Sequence, residues 1–366
     1  MNDKTTIEPD KREKESSFAI IIPALNPGEE LLHYVQKLKD SGFNEIIIIN
    51  DGSDRNVQLG VFEDLKNDAI VISHIVNKGK GAALKTGYKY VLDNLRFIKG
   101  VITVDSDGQH TVEDCEKIAN RLEADNSSIY LGVRDFSLPG IPLKSRWGNK
   151  LTSILFRLLY GKYLSDTQTG IRAINRELLP FMMNVSGERY EYEMNVLIAC
   201  TRAGINLISV PIETIYENNN KGTHFRPVRD SIRIYRVLFG NFFKFMGSSL
   251  ASTIVDQALF NLFNLAVFAN GDEKSGGYIF TSTVIARVVS AITNFTLNRN
   301  FVFGKNEHGK RSFKRYSILC VGIMILSAMG TWLLSIAGMN SAIAKIVIDT
   351  ILYIISFRVQ NQWVFS

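Results

Sequence analysis

The stretch that decides the fold is VITVDSDGQH, residues 101–110, in which a short apolar run ends in a cluster of polar side chains. An uncharged apolar run of this length is typical of a strand covered on both faces of a parallel sheet. Asp105 and Asp107 follow it, one residue apart, so both carboxylates can approach one hard cation, which prefers oxygen ligands. A bare Asp-x-Asp is common in loops, but its place directly after an apolar strand favours a metal site.

The same arrangement of an apolar run followed by polar residues recurs three times upstream. The runs 18–22, 45–49 and 69–73 precede PALNPGEE (23–30), NDGSD (50–54) and NKGKGAAL (77–84). Helical patterns over 29–39, 81–95 and 112–124 alternate with the runs and predict a mostly parallel, Rossmann-like α/β sheet. Ligands of such sheets bind beyond the carboxyl ends of the strands. Taken alone, Gly79 and Gly81 fit turn glycines and Asp51 fits a helix cap, but four clusters at one edge favour a ligand site.

The composition changes along the 366 residues. To about Arg236 the chain is an ordinary charged sequence, and from Phe242 onward long apolar runs dominate, which predicts a soluble domain fused to a membrane domain. Residues 1–16 are polar and predict a disordered tail rather than a signal peptide. Three widely spaced cysteines, Cys115, Cys200 and Cys320, fit neither a zinc site nor a disulfide framework and indicate reduced thiols.

The formal net charge is +6. The basic residues lie beside the apolar runs and do not alternate with aromatic residues. They therefore favour an anionic membrane surface as partner and argue against nucleic acid.

A family resemblance follows from the order of the motifs. PALNPGEE, NDGSD, NKGKGAAL, VDSDGQH, LGVRD, DTQTGIRA and ERYEYEMN follow one another over about residues 18–235. This set resembles the polyprenyl-phosphate glycosyltransferases of the dolichyl-phosphate mannosyltransferase and bactoprenol glucosyltransferase group. The resemblance implies a GT-A catalytic domain with inverting chemistry. Asn50, where many relatives have a second aspartate, and the Pro27-Gly28 insertion depart from the pattern on the nucleotide side.

The resemblance also implies roles for residues on the donor side. Pro23, Ala24 and Asp51 would line the nucleoside pocket, and Lys80 and Arg172 would bind the donor. Asp105, Asp107 and Gln109 would hold Mg²⁺ or Mn²⁺ across the diphosphate, whose growing negative charge the metal stabilises as the leaving group departs.

On the acceptor side, Arg134 and Arg146 match positions that handle phosphate groups, for which a guanidinium fork is well suited. Surface arginines in ion pairs are the alternative for both. Asp166 aligns with the carboxylate usually proposed as catalytic base. A phosphate monoester has a second pKa of about 6, so it is already largely dianionic at neutral pH and hardly needs deprotonating. We therefore leave open whether Asp166 removes a proton or orients a neighbouring group.

Two further groups of residues are weaker candidates. Glu191 and Glu193 are two apart on a predicted helix and should point in different directions, so we do not expect them to act together. His224 and Arg226 lie in a predicted loop next to the donor, where His224 has no second metal ligand at helical spacing.

The C-terminal half predicts a membrane domain. Arg229, Arg233 and Arg236 recur at helical spacing and predict an amphipathic helix over 227–244 on the membrane surface, or else the last helix of the soluble domain. Four spans of roughly 20 residues follow, at 245–269, 278–298, 316–337 and 342–359. The basic connection 305–315 places the catalytic domain and both termini in the cytosol.

Four charged residues fall within these spans: Asp256, Arg287, Lys345 and Asp349. Such groups mark a transport pathway or pairs that hold the helices together, and Lys345 and Asp349 can pair across one helical turn. With NFTLNRNFVF (294–303) and SFRVQNQWVF (356–365), residues 242–366 resemble the GtrA-like four-helix family. That family is associated with translocation of lipid-linked sugars.

The predicted organisation is therefore a tail (1–16), a GT-A domain (17–226), a juxtamembrane helix (227–244) and an all-α domain of four transmembrane helices (245–366). The predicted activity is transfer of one sugar, with UDP-glucose the favoured donor, to undecaprenyl phosphate in the cell membrane. A homo-oligomer is a further expectation, since helix-bundle membrane domains often associate. The alternatives are a flippase with a nucleotide-sugar-sensing domain and a processive polysaccharide synthase, although the Gln-x-x-Arg-Trp motif typical of such synthases does not occur.

Overall fold

The computed structural model describes residues 17–138, 141–213, 227–263, 276–304 and 309–365. The chain divides into two compact units. The first consists of Met1–Ser153 with Leu164–Ile234, and the second of Ile154–Tyr163 with Tyr235–Ser366.

The first unit contains a seven-stranded sheet of order β3-β2-β1-β4-β6-β5-β7. The strands are β1 (Phe18–Ala24), β2 (Ile46–Asn50), β3 (Ile70–Ser73), β4 (Gly100–Thr103), β5 (Ser128–Val133), β6 (Arg172–Asn175) and β7 (Asn206–Pro211). All pairings are parallel except those of β6, which is antiparallel to both β4 and β5. The predicted α/β sheet is thus confirmed as a mixed, mainly parallel one.

Eight α-helices begin among the described residues between β1 and β7: α1 (Glu30–Asp40), α2 (Arg55–Leu59), α3 (Val61–Leu65), α4 (Lys80–Asn94), α5 (Val112–Ala124), α6 (Leu143–Tyr160), α7 (Leu179–Asn184) and α8 (Glu191–Ala203). In α1 the buried residues Leu31, Val35 and Leu38 recur at helical spacing and form one apolar face. Burying each such side chain contributes about 1.5–3 kcal/mol, which fixes α1 on the core that β1 and β2 share. The carboxyl ends of β1, β2 and β4 are thereby held side by side.

The second unit contains α9 (Pro227–Leu262), α10 (Gly276–Leu297), α11 (Gly309–Ile336) and α12 (Ser341–Val359), together with the end of α6. The predicted separation of a juxtamembrane helix at 227–244 differs from the structure, where one helix of 36 residues continues past that point. The reason is that buried apolar positions continue without interruption through Ile234, Leu238 and Phe245. The predicted domain boundary at 226, with His224 and Arg226, and the side chain of Arg229 lie outside the described residues.

Two helices among the described residues are long and apolar enough to cross a membrane, Ile279–Val302 and Gly309–Ile336. The other two predicted spans correspond to α9 and α12, which carry Asp256 and the Lys345–Asp349 pair within their length. Apolar membrane-type helices are therefore present, and the number of four crossings stays a prediction.

The helices α10 and α12 end alike. Each continues into one π-helical turn, Asn298–Val302 and Gln360–Val364, and a phenylalanine follows each turn. The equivalent amides Asn298 and Gln360 are hydrogen-bonded to each other at 3.0 Å. The aromatic contacts are reciprocal. The rings of Phe303 and Phe365 stack with their centroids 5.1 Å apart. Phe365 also contacts Phe295 of α10 at 5.6 Å, and Phe303 contacts Phe357 of α12 at 5.8 Å. Reciprocal contacts of this kind indicate a local twofold relation between two similar helices.

Candidate active site

The loops after β1 and β2 meet at the carboxyl edge of the sheet. Pro23 and Ala24, the last residues of β1, are buried, and the carbonyl of Ala24 accepts a hydrogen bond from the backbone N–H of Asp51 at 2.9 Å. The backbone N–H of Asn26 donates to the Ser53 hydroxyl at 2.8 Å. The first two motifs thus form one connected surface, as their position after parallel strands predicts.

Asp51 is buried and holds the loop that leads into α4. Its carboxylate accepts hydrogen bonds from the backbone N–H groups of Lys78 (2.9 Å) and Gly79 (2.7 Å) and lies 2.8 Å from Nδ1 of His74. The other ring nitrogen of His74 lies 2.9 Å from the Thr86 hydroxyl. Sequence reasoning missed His74, a single histidine after β3. Contact of Asp51 with a nucleoside stays a prediction, since the structure gives its oxygens partners within the chain.

Gly79 has a positive φ of 107°, which favours glycine. A Cβ atom there would also lie 2.5 Å from the Glu188 carbonyl oxygen. The start of α4 therefore packs closely against the residues that precede α8, and Ala82 donates to the same carbonyl at 2.9 Å.

This junction brings together four ionic groups, Lys80, Asp105, Asp107 and Glu193, here named the donor-side cluster. The Lys80 ammonium, on the first residue of α4, lies 2.6 Å from Oδ1 of Asp105 and 2.9 Å from Oε1 of Glu193. Burial opposes the charge of Lys80, but the two carboxylates raise its pKa well above the ordinary value. Burial likewise opposes the charge of Asp105, yet Lys80 and then His110 hold its pKa well below the usual range. The pair is therefore charged throughout the physiological pH range.

Asp107 has the opposite tendency. Its burial and the neighbouring charge of Asp105 raise the pKa of Asp107, because two close carboxylates repel each other. His110 is buried next to them, with Nε2 3.5 Å from Asp105, and among the described residues neither ring nitrogen has a hydrogen-bond partner. A Cβ atom on Gly170 would lie 2.3 Å from an Asp105 oxygen, so the glycine leaves room for that carboxylate.

These features fit a divalent metal. Two repelling carboxylates suit a hard cation, and unpartnered polar atoms lie beside them. Within the described ranges no group of three or more His, Cys, Asp and Glu side chains surrounds such a position. Gln109, the third predicted ligand, lies on the same loop, where its backbone N–H donates to Asp107 at 3.2 Å, and its role toward a metal stays a prediction.

Glu191 and Glu193 have different partners, as their spacing predicts. Glu191 accepts hydrogen bonds from the backbone N–H groups of Glu188 and Arg189, both at 3.3 Å, and so holds the turn that precedes α8. Glu193 instead pairs with Lys80. Its place in the site was missed, because the sequence does not show that α4 and α8 begin side by side.

Arg134 and Asp166 form a second ionic site, here named the acceptor-side pair. Asp166 is fully buried, and Arg134 donates to both of its oxygens, from Nε at 2.8 Å and from Nη2 at 3.3 Å. The backbone N–H of Gln168 adds a third hydrogen bond at 3.0 Å. Asn149, from α6, donates to the Ser165 carbonyl and thereby holds the loop that carries Asp166. Sequence reasoning missed Asn149.

Two predicted arginines have other surroundings. Arg146 donates to the carbonyl of Leu138 at 3.0 Å, and its role toward a phosphate stays a prediction. Arg172 is buried in β6 and donates to the carbonyls of Thr169 and Glu193, both at 3.2 Å. These two hydrogen bonds hold the backbone at Thr169 and Glu193. Direct contact of Arg172 with the donor stays a prediction.

The four charged residues of the second unit occur as two pairs. Arg287 and Asp256 approach to 3.4 Å, and Lys345 lies 2.8 Å from Asp349 across one turn of α12. Lys345 also donates to the Ser327 hydroxyl of α11 at 2.7 Å. These contacts link neighbouring helices, which supports the packing interpretation of the charges. A role in transport stays a prediction.

Two family models match the chain. Residues 19–180 match glycosyl transferase family 2, and residues 235–365 match the GtrA/DPMS transmembrane domain. The second match coincides with the helical unit and the first with most of the sheet.

Individual proteins are similar to the first unit. An uncharacterized protein of Methanocaldococcus jannaschii is 32% identical over 202 residues, 54% of this chain and 81% of the relative. A UDP-N-acetylglucosamine–dolichyl-phosphate N-acetylglucosaminyltransferase of Methanococcus voltae is 31% identical over 216 residues, 54% of this chain and 85% of the relative. Among solved structures, glucosyl-3-phosphoglycerate synthase of Mycobacterium tuberculosis matches 61% of this chain and 78% of its own, with a TM-score of 0.46 and 18% identity.

Proposed function

Because this chain belongs to glycosyl transferase family 2 and carries a GtrA/DPMS transmembrane domain, we propose that it transfers a single sugar from a nucleotide sugar to a polyprenyl phosphate. The observation that carries the proposal is the donor-side cluster at the carboxyl edge of the sheet. It offers an ammonium, carboxylates and the start of a helix where a diphosphate would bind.

The donor diphosphate would lie between Lys80 and the Asp105–Asp107 loop. Asp105, Asp107 and Gln109 would hold Mg²⁺ or Mn²⁺, which stabilises the negative charge that develops on the leaving diphosphate. Lys80 would contribute a second positive charge from the start of α4, where backbone N–H groups also favour anions. Asp51 would act on the donor through the loop 77–79, whose backbone it fixes.

The acceptor phosphate would bind at Arg134, with Arg146 as a second contact. One of its oxygens attacks the anomeric carbon, the bond from that carbon to the diphosphate breaks, and the nucleoside diphosphate leaves with the bonding electrons, which inverts the configuration. The phosphate is already largely dianionic at neutral pH, so no proton has to be removed. Since both Asp166 oxygens bind Arg134, we assign Asp166 to orienting that guanidinium.

One face of α6 supports a membrane-bound acceptor. Its exposed apolar residues recur at helical spacing: Leu143, Trp147, Leu151, Ile154 and Leu158. Lys150 lies over the Trp147 ring, so basic and apolar groups occur together, as in helices that lie at a membrane surface. Residues 154–160 of the same helix belong to the unit that matches a transmembrane domain. Basic residues at the start of α11 favour a cytosolic catalytic unit and cytosolic termini.

UDP-glucose is the donor that we propose first. UDP-N-acetylglucosamine is a close second because the Methanococcus voltae relative uses it with dolichyl phosphate, as its name states. The test is a panel of UDP-glucose, UDP-N-acetylglucosamine, UDP-galactose and GDP-mannose. Each is offered to the purified full-length protein with undecaprenyl or dolichyl phosphate and Mn²⁺, and glycolipid is measured by mass spectrometry.

With the donor that is used, Asp107→Ala should lower kcat/KM by about 10³-fold, as expected when stabilisation of the leaving group is lost. Asp93→Ala is the matched control, because Asp93 is an exposed residue of α4 that pairs with Lys89. An Asp107→Ala variant as active as the control would refute the proposal. A protein that binds donors without turning over any of them would support the flippase alternative.

A further inference from the structure

The donor-side cluster contains more carboxylate than one lysine requires. Lys80 bonds to Asp105, which follows β4, and to Glu193, which lies in the first turn of α8. Asp105 is the more exposed of the two carboxylates, with 31% of its side chain accessible against 9% for Glu193. The two partners of Lys80 therefore differ: one faces the site and one lies behind it.

Asp105 cannot serve Lys80 and a metal equally well. The ammonium lies 2.6 Å from an Asp105 oxygen, and a divalent ion on the same carboxylate would repel it strongly. Binding of the metal therefore weakens or breaks the Lys80–Asp105 contact. Glu193 is then the carboxylate that still holds the ammonium.

The position of Glu193 does not depend on Asp105. The backbone carbonyl of Glu193 accepts a hydrogen bond from Arg172 at 3.2 Å. A Cβ atom on Gly81 would lie 2.5 Å from Cβ of Tyr192, so α4 and α8 approach closely at this point. A carboxylate in the first turn of a helix is also favoured by the helix dipole. Lys80 and Glu193 thus remain adjacent whatever occupies Asp105.

We propose that Glu193 is a positioning residue, which draws Lys80 away from Asp105 when the metal binds and holds the ammonium at the donor diphosphate. The inference rests on the proposed function, since it takes Lys80 and Asp105 as donor and metal contacts. In the metal-free enzyme Lys80 neutralises Asp105, and in the loaded enzyme the same charge serves the diphosphate.

The inference predicts that substitutions of Lys80 and of Glu193 change the affinity for Mn²⁺ in opposite directions. The measurement is binding of Mn²⁺ alone to the purified full-length protein, followed by the electron paramagnetic resonance signal of free Mn²⁺. Lys80→Met should tighten Mn²⁺ binding about tenfold, because the competing cation is gone. Glu193→Gln should weaken it about tenfold, because Asp105 becomes the only carboxylate partner of Lys80.

The double variant decides between positioning and a merely structural role. With Lys80→Met present, adding Glu193→Gln should leave Mn²⁺ affinity unchanged, since Glu193 acts through the lysine. Binding of UDP in the presence of Mn²⁺ should weaken in both single variants. Glu191→Gln is the control. Glu191 lies two residues before Glu193 in the first turn of α8, and its substitution should leave Mn²⁺ and UDP binding unchanged.

Equal weakening by Glu193→Gln with and without Lys80 would overturn the inference, and so would unaltered Mn²⁺ binding in Lys80→Met. If Glu193→Gln does not fold, Glu193→Asp, whose shorter side chain moves the carboxylate away from Lys80, takes its place in both backgrounds, and unaltered Mn²⁺ affinity with Lys80 present would overturn the inference. These measurements need no acceptor and no sugar transfer. If the wild type makes glycolipid but the variants do not show the expected changes in Mn²⁺ affinity, this inference alone is refuted. If the variants show those changes but the wild type makes no glycolipid with any donor, the proposed function is refuted.

Discussion

The donor-side cluster and the acceptor-side pair both neutralise a carboxylate, but they do so in different ways. In the cluster, Asp105 shares one lysine with Glu193 and remains partly accessible. In the pair, Asp166 is fully buried and Arg134 binds both of its oxygens. A lysine ammonium is a compact point charge on a flexible stem, whereas a guanidinium binds a carboxylate in fixed geometry. The difference indicates an exchangeable contact in the donor-side cluster and a permanent one in the acceptor-side pair.

The loop 166–170 connects the two sites. Asp166 begins it, and Gly170 ends it directly against the Asp105 carboxylate. The Thr103 hydroxyl of β4 donates to the Gly170 carbonyl at 2.7 Å and fixes that end. A change at one end of this loop can therefore be compared with a change at the other.

Asp166→Asn should have the largest effect. It leaves the Arg134 guanidinium without its anionic partner, and it should cost roughly 2–3 kcal/mol of unfolding free energy, near the low end for breaking a buried pair. The melting temperature should fall by about 5–10 °C. We also expect kcat to fall about 100-fold and KM for the polyprenyl phosphate to rise, because a mispositioned group loses its contact in the transition state.

Steady-state rates with each substrate varied in turn separate the two sites for this variant. KM for the nucleotide sugar should stay near the wild-type value. The proposed role of Asp166, orienting Arg134 without removing a proton, predicts that the pH profile of kcat keeps its shape. Activity that recovers steadily with rising pH would instead identify Asp166 as a general base.

Gly170→Ala should have the next largest effect. The added methyl group would lie 2.3 Å from an Asp105 oxygen and would displace that carboxylate. We expect kcat/KM to fall about 30-fold, through weaker binding of Mn²⁺ and donor, with a loss of stability of about 1–2 kcal/mol from overpacking. Calorimetric titration of UDP with Mn²⁺ measures the donor effect. Gly322→Ala, whose Cβ would meet nothing within 4 Å and whose φ is not in the left-handed region, is the control for the substitution.

The elements of the sheet were predictable because each has a local cause. The four apolar runs correspond to β1 to β4 within one or two residues of the expected limits. Buried strands leave continuous apolar runs in the sequence, and amphipathic helices leave a period between them. The antiparallel insertion of β6 was not predicted. Its sequence RAIN is short, and its direction is set by pairing with β4 and β5, two strands that lie far earlier in the chain.

Candidate site residues could be selected from the sequence where they share one motif or where the order of the motifs carries a family resemblance. Asp105 and Asp107 lie in a single loop, and the order of motifs led to Arg134 and Asp166. Glu193, by contrast, reaches Lys80 through the meeting of two helix starts that are far apart in sequence. Contacts of this kind depend on tertiary packing and leave no local pattern.

Asp107→Asn should have the smallest effect on stability and the opposite sign to Asp166→Asn. Burial and the charge of Asp105 raise the pKa of Asp107, so the folded protein binds a proton there more tightly than the unfolded chain. The charge of Asp107 therefore lowers the free energy of unfolding. This loss is fully present above the folded-state pKa and disappears as the pH falls below the pKa of the unfolded chain. Removing the charge should therefore stabilise the metal-free protein at neutral pH, by about 1 kcal/mol or about 2–4 °C in melting temperature.

Thermal unfolding in a chelator at neutral pH and near pH 4, close to the unfolded value, measures this difference, which should shrink at the lower pH. Addition of Mn²⁺ should raise the melting temperature of the wild type and leave that of Asp107→Asn almost unchanged, because a ligand stabilises only the state that binds it. A metal-free Asp107→Asn protein that melts below the wild type would show that Asp107 is neutralised within the chain, as Asp166 is. The two sites would then differ in position alone, and the exchangeable character assigned to the donor side would be wrong.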